Sequence, residues 1–376
     1  MRQPSVLGIV SYKVFPAQMG GQKCVVAFYR HLARLTKVVL AVHKDNPPAA
    51  DDWQQPAFPI MYHHKKGPAN LLNLFRLRKI ITTQQIDLVC IEHSYLGWLG
   101  ILLRWLTRKP FVIRSHNIEA HRFRDMQKPW WLLYQWYEKQ VHRRADLSFF
   151  ITEEDRQWAI HHWQLIEEKC TVISYGTDIP GPLPEAVRLQ ARIRLLKENN
   201  LPANTRLFLF SGTLDYLPNT DALRIIISEL LPLMQATRIP FRIFICGSHT
   251  SSAWKEVLQH TPGIIFKDFV PDINLYLNGS DCFLNPVTLG SGIKIKLVDA
   301  LAQDLAAVST RSGARGVDIS LTGHTLRLVD DYNWPAFVQA LFEQADHMPP
   351  PLPESFYHFF NWDQIVQKAL LSLQTV

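Results

Sequence analysis

The chain has 376 residues, 47% hydrophobic and 19% charged, with no low-complexity tract and no short repeat. This excludes a disordered or fibrous chain, and the length predicts two or three domains. The net charge of +7 is uneven: residues 1–175 hold 24 Lys+Arg against 14 Asp+Glu (+10), and the remainder holds 16 against 19 (−3). A basic first half suits an acidic partner, such as a phosphorylated acceptor, an anionic membrane face or nucleic acid; a solvated basic surface is the alternative. The five cysteines (Cys24, Cys90, Cys170, Cys246, Cys282) are odd in number and widely spaced, without a C-x-x-C. They predict a reducing compartment and no zinc site. The start is too short for a signal peptide, and the longest apolar stretch, 96–103, stops at Arg104. A soluble, cytoplasmic protein is therefore expected.

In chain order, residues 6–10 read as a buried parallel strand, followed by a glycine-bearing loop (15–22), a helix (23–35) and a second strand (38–42). This βαβ opening implies a parallel sheet with right-handed crossovers. Residues 43–66 are irregular, with a strand at 58–62; helices follow at 71–82 and 95–106, and strands at 88–93 and 111–114. Ser115-His116-Asn117-Ile118-Glu119 stands at the carboxyl end of the latter. A long helix rich in Trp and Tyr (129–144), a strand (147–151), a helix (153–161) and a last strand (170–173) complete this half. Pro180-Gly181-Pro182 reads as an interdomain link. A second βα series follows, with strands at 207–210, 241–246, 264–266, 281–284, 306–310 and 325–329. Its helices are expected at 222–231, 273–277 and 334–345, and prolines at 349–351 precede a terminal helix (361–373).

One loop stands out. After the strand at 281–284 comes Asn285-Pro286-Val287-Thr288-Leu289-Gly290-Ser291-Gly292-Ile293-Lys294-Ile295-Lys296, then an amphipathic helix with Leu297, Val298 and Leu301 at core spacing. Glycines let a backbone approach an anion, and a helix N-terminus offers free N–H groups to it. Loops at the carboxyl ends of parallel strands hold ligands in open α/β sheets. The loop is thus a candidate nucleotide-diphosphate site; an ordinary strand-to-helix connection is the alternative.

The chain resembles the family-four glycosyltransferases. The resemblance is carried by Gly20-Gly21, the Ser115–Glu119 motif, Val172-Ile173-Ser174-Tyr175-Gly176-Thr177-Asp178, Ser211-Gly212-Thr213-Leu214-Asp215-Tyr216-Leu217-Pro218-Asn219 and the loop above. That loop is similar to a sub-branch reading G-S-G-I-K-x-K-x-x-E-A. The resemblance implies the GT-B α/β fold, two Rossmann-like β/α domains facing each other across a cleft. The domains are expected at 1–175 (acceptor side) and 176–355 (nucleotide-sugar side), with 356–376 packing back on the first. It implies a retaining, metal-independent, hexosyl-type transfer from a UDP- or GDP-sugar, with no cofactor, to a glycan or lipid-linked acceptor. Bacterial surface polysaccharide or glycolipid synthesis is the implied setting.

The resemblance also implies site residues. Asp299 takes the place of the second acid of the family's Glu-x7-Glu and would hold the ribose; Ser291 takes the place of the first. Thr213 stands where the family has an arginine for the diphosphate, and the nearby lysine is missing. Lys294 is the expected replacement, with Lys296 as the second, surface-exposed choice. Backbone N–H groups of Gly292 and Ile293 would hold the distal phosphate. Gly21 would let the first domain approach the phosphates; a plain helix start is the alternative. His116 would position the donor sugar and stabilise the reacting centre. Gly212, Asp215 and Asn219 would line the donor site, Asn219 either on phosphate or as a helix cap. Glu119 is expected at a sugar and His93 as a structural residue. Phe269 and Val270 are expected beside the nucleobase. Trp beside Lys/Arg over 104–109 and 122–144 suits the face of an anionic membrane; packing of these aromatics into the core is the alternative. Other readings are a sugar-nucleotide epimerase of the same fold and a non-catalytic sugar-nucleotide-binding subunit. No nucleic-acid motif is present.

Overall fold

The computed structural model describes residues 3–17, 19–47, 53–347 and 351–376. Gln18 of the expected loop, residues 48–52 of the irregular stretch, and Pro349 and Pro350 lie outside the described residues. The chain forms two compact units: unit 1 is Met1–Gly176 with Phe359–Val376, and unit 2 is Thr177–His358.

Unit 1 runs β1 Val6–Ile9, α1 Gly20–Leu32, β2 Val38–His43, β3 Ala57–Met61, α2 Leu74–Thr83, β4 Leu88–Glu92, α3 Gly97–Thr107, β5 Phe111–Ser115, α4 Glu119–Asp125, α5 Trp131–Arg144, β6 Leu147–Phe150, α6 Glu153–Trp163 and β7 Cys170–Val172. Its seven strands form one sheet in the order β3-β2-β1-β4-β5-β6-β7, with every pair parallel. Leu7, Ile9, Val39, Ile91, Phe111 and Ile113 meet Leu77 of α2, Leu103 of α3 and Val141 of α5 in one core. Burying an aliphatic or Phe side chain favours folding by about 1.5–3 kcal/mol. A one-residue slip of β5 would turn Phe111 and Ile113 out of this core and drive Arg114 into it. The register is therefore firm, and it sends Arg114 to the opposite face, where its guanidinium lies 4.1 Å from the ring centroid of Phe28 on α1.

Unit 2 runs α7 Glu185–Glu198, β8 Arg206–Thr213, α8 Leu217–Ile225, α9 Leu231–Ala236, β9 Phe241–Ser248, α10 Ser252–His260, β10 Ile264–Asp268, α11 Ile273–Gly279, β11 Cys282–Asn285, α12 Ile295–Ala302, β12 Ala307–Thr310, β13 Leu326–Val329, α13 Trp334–Asp346 and α14 Glu354–Phe359. Its sheet is β10-β9-β8-β11-β12-β13, again all parallel. α15, Trp362–Leu373, belongs to unit 1 and packs along α1. Each unit is thus a Rossmann-like α/β layer structure.

Several elements differ from the sequence expectation. The helix expected at 71–82 is a 3-10 stretch, His64–Asn73, followed by α2. The stretch 129–144 does not begin at Pro129: α5 starts at Trp131, and a separate short helix, α4, precedes it. α8 starts at Leu217 with Pro218 in its first turn, so Asn219 lies inside the helix rather than before it. Proline at the first positions loses no hydrogen bond, which makes it a helix start and not a breaker. α7 and α10 were not read from the sequence.

Candidate active site

In unit 2 the residues in question collect at the carboxyl ends of β8 and β11. β8 ends in Ser211-Gly212-Thr213. Gly212 has φ +154°, and a Cβ on it would fall 2.8 Å from the Asn219 amide, so this turn needs a glycine. Asn219 is buried, and its Nδ2 donates to the Thr213 carbonyl at 2.8 Å. The cap position of α8 is Tyr216, so Asn219 does not cap it. Asp215 is exposed and has no hydrogen-bond partner among the described residues.

The β11–α12 loop lies beside this turn. A Cβ on Gly290 would meet Pro218 at 3.1 Å, and Thr288 Oγ1 donates to Asp221 at 3.4 Å. Gly290 and Gly292 have φ of +86° and +75°. No hydrogen bond from the N–H groups of Gly292 and Ile293 is present among the described residues. Asp299 is half-buried on α12.

The two lysines have different surroundings. Lys294 stands just before α12 and folds back on its own loop. Its Nζ donates to the carbonyls of Gly290 (3.1 Å), Ser291 (3.4 Å) and Gly292 (3.0 Å). Lys296 is not on the surface. It is half-buried, with Nζ donating to Asn219 Oδ1 at 2.8 Å and lying 4.0 Å from the ring centroid of Phe210. The reason is helical geometry: in the first turn of α12, position 296 points at the end of β8, while position 294 is still in the loop. Burial, and then the neighbouring Lys294, hold the Lys296 pKa well below its ordinary value. Among the described residues no carboxylate is within ion-pair distance of it.

In unit 1 the edge at β4 and β5 carries two carboxylate–imidazole pairs. His116 Nε2 lies 2.6 Å from Glu92 Oε2, and Arg114 Nη1 donates to the same oxygen at 3.0 Å. Burial alone would raise the Glu92 carboxyl, but Arg114 and His116 outweigh it and hold it at about 2. Burial and the adjacent His93 lower His116 to about 4. The ring is then neutral, with its proton on Nε2, shared with Glu92.

The second pair is His93 Nδ1 with Glu119 Oε1 at 2.9 Å. The two imidazole rings stack with centroids 4.2 Å apart. Glu119 also accepts from Tyr95 at 2.5 Å and Arg122 at 3.2 Å. Burial raises its carboxyl, yet these partners hold it at about 2. Glu138 of α5 accepts the backbone N–H groups of Glu119 and Ala120 at 3.1 and 3.0 Å, which satisfies the amino end of α4 and fixes the Ser115–Glu119 segment.

Gly21 sits in the first turn of α1, and a Cβ there would meet nothing within 4 Å, so packing does not require the glycine. The sequence reading missed Glu92 and Arg114 and set His93 aside. A charged residue inside the apolar run Phe111-Val112-Ile113-Arg114 was the available signal, because a buried guanidinium demands a buried carboxylate.

Residues 19–179 match the family model described as Glycosyltransferase Family 4, and residues 205–346 match that of Glycosyl transferases group 1. D-inositol 3-phosphate glycosyltransferase of Corynebacterium glutamicum (strain R) is 24% identical over 273 residues, 69% of this chain; the chain spans 64% of that relative's length. Among solved structures, sucrose-phosphate synthase from Thermosynechococcus elongatus superposes with a TM-score of 0.71 at 16% identity, over 99% of both chains. Anabaena HepE in complex with UDP and glucose gives 0.70 at 13% identity, covering 98% of this chain and 99% of that one. At these identities the structural likeness carries the fold. With a glycosyltransferase model matching in each unit, the chain belongs to the GT-B glycosyltransferases of family-four type.

Proposed function

We propose that the chain moves a hexosyl group, with retention and without a metal, from a UDP- or GDP-sugar to a glycan or lipid-linked acceptor in surface polysaccharide or glycolipid synthesis. The observation that carries this reading is Lys296: a half-buried ammonium beside a glycine loop, facing an amide oxygen and a ring and, among the described residues, no carboxylate. A cation so placed is poised for an anion. The UDP in the HepE complex favours UDP as the nucleotide.

In this reading the C1–O bond to the diphosphate breaks, a C1–O bond to the acceptor forms, and the acceptor proton ends on the released nucleoside diphosphate. Lys296 and the N–H groups of Gly292 and Ile293 stabilise the leaving diphosphate. Lys294 has a different part: it ties three carbonyls of the loop and so fixes the loop's backbone. Asp299 takes the ribose. In unit 1, His116 is kept neutral by its burial and oriented by Glu92, a fixed dipole for the reacting sugar.

The test is thermal shift with UDP-glucose, GDP-mannose and related nucleotide-sugars. The wild type should be stabilised by one of them. Lys296→Ala should abolish the shift, and Lys294→Ala should weaken it. No shift with any nucleotide-sugar, or a full shift in Lys296→Ala, would overturn the reading.

A further inference from the structure

We infer that unit 1 attaches peripherally to an anionic lipid bilayer through the outer faces of α2, α3 and α5. The inference deepens the lipid-linked-acceptor reading, but it stands on the surface of unit 1 alone.

α2 packs on α3 and α3 on α5, so the three helices form one layer over one face of the sheet. Their inward side chains, Leu77, Leu103 and Val141, fill the core. Large apolar side chains face outward as well. Phe75, Trp105, Leu132, Leu133 and Trp136, with Leu72 just before α2, are each between 61% and 79% exposed, or 83% for Trp105. On α3 the half-buried Trp98 and Leu102 continue the Trp105 stripe at helical spacing. A helix that faces only water carries polar residues there. Exposed apolar groups of this size in one layer mark an interaction surface.

Charge selects the partner. Residues 64–83, 97–107 and 131–144 hold nine Lys and Arg and one acidic residue, Glu138. Glu138 is fully buried beneath α5. The layer therefore shows water no carboxylate at all. At the carboxyl ends of α3 and α5 the cations border a cavity of about 720 Å³, lined by Arg104, Arg108, Arg143, Arg144, Lys169 and Trp105. Arg104 pairs with Asp146 at 3.0 Å, whereas Arg108, Arg143 and Lys169 are in no ion pair among the described residues. Apolar side chains for the acyl boundary, Trp at the interface and cations for headgroup phosphates form the pattern of an interfacial helix layer. Nucleic acid would match the charge but leave Leu72, Leu132 and Leu133 in water. Among the described residues no helix is long and apolar enough to cross a membrane, so the contact is with one face only.

The experiment is flotation of the purified full chain with vesicles of phosphatidylcholine alone and of phosphatidylcholine with phosphatidylglycerol. The wild type should float with the anionic vesicles, less so in high salt, and stay behind with pure phosphatidylcholine. Trp105→Ser/Leu133→Ser/Trp136→Ser should reduce vesicle partitioning by at least about tenfold, with unchanged melting temperature and nucleotide-sugar shift. Arg78→Glu/Lys79→Glu/Arg143→Glu should do the same through charge. Absence of wild-type flotation, or equal flotation of the Ser variant, overturns the proposal. So does a wild-type dimer in solution that the Ser variant makes monomeric, since a second copy then covers the face. Failure of flotation with an intact nucleotide-sugar shift would leave the transferase reading standing.

Discussion

His93 holds φ +60° and ψ 158°, a backbone region that belongs to glycine. Its N–H donates to the Arg114 carbonyl at 2.9 Å, its Nδ1 meets Glu119, and its Nε2 lies 3.2 Å from the Tyr12 hydroxyl. Such a conformation costs about 1–3 kcal/mol and persists only where the surroundings over-determine it, which is the usual condition of a working site. The expected consequence is an inverted order of stability. His93→Ala keeps the strained backbone and loses the ring; His93→Gly loses the ring and the strain together. The Gly variant should therefore be more stable than the Ala variant by about 1 kcal/mol, against the usual preference for Ala. Urea titration of the two proteins measures this, and equal midpoints would remove the strain argument. None of this was legible in the sequence, because a strand ending in Glu-His shows neither φ nor partner. His116 was legible, since its place after an apolar strand predicts the carboxyl edge of a sheet. The choice between Lys294 and Lys296 was not, because two positions on a helix start differ by most of a turn, and only the true start, Ile295, decides which lysine points at β8.

At the scale of elements, α5 shows what a periodic reading can and cannot settle. Its aromatic-rich pattern predicts a helix but leaves open which aromatics are covered. Tyr134 and Tyr137 turn in, while Trp136 turns out. Neighbouring elements make that division, and they stand far off in sequence. α5 also carries His142, buried, with Nδ1 2.8 Å from Ser148 Oγ on β6 and its ring stacked on Phe150 and Trp163. Burial lowers its pKa to about 3. A folded-state pKa below the unfolded value of about 6.5 means that the unfolded chain gains a proton which the folded chain refuses. Stability from this source is complete above pH 6.5 and drains as the pH falls toward 3, at up to about 1.4 kcal/mol per pH unit. His142→Gln should start less stable at pH 7, yet lose less between pH 6.5 and 4.5 than the wild type. His63 and His116, both at about 4, keep part of the slope in either protein. Parallel acid limbs in the two urea series would mean that His142 titrates freely.

At the scale of the molecule, unit 1 is discontinuous in sequence. The fold class was readable, because two successive βα series with apolar strands leave little choice but two parallel sheets. The role of residues 359–376 in the energetics is a matter of packing. Trp362 is buried, edge-on to Tyr175 and stacked near His31 of α1, whose Nδ1 lies 2.7 Å from Asp363. Gly176 lies beneath the Trp362 indole, where a Cβ would come within 2.7 Å of it. The last strand of unit 1 and its first helix are thus clasped by a segment from more than 180 residues further on. Closing so long a loop adds only a little entropy per doubling of its length, so the contact is limited by packing and not by separation. Trp362→Ala should leave a cavity among α1, α15 and Tyr175 and weaken unit 1 by about 3–5 kcal/mol. Hydrogen exchange distinguishes this from a general loss of stability. Protection should fall in α1, β1 and α15, while β8 and α12 keep theirs and the nucleotide-sugar shift survives. Loss of protection in unit 2 to the same extent would show instead that the two units unfold as one.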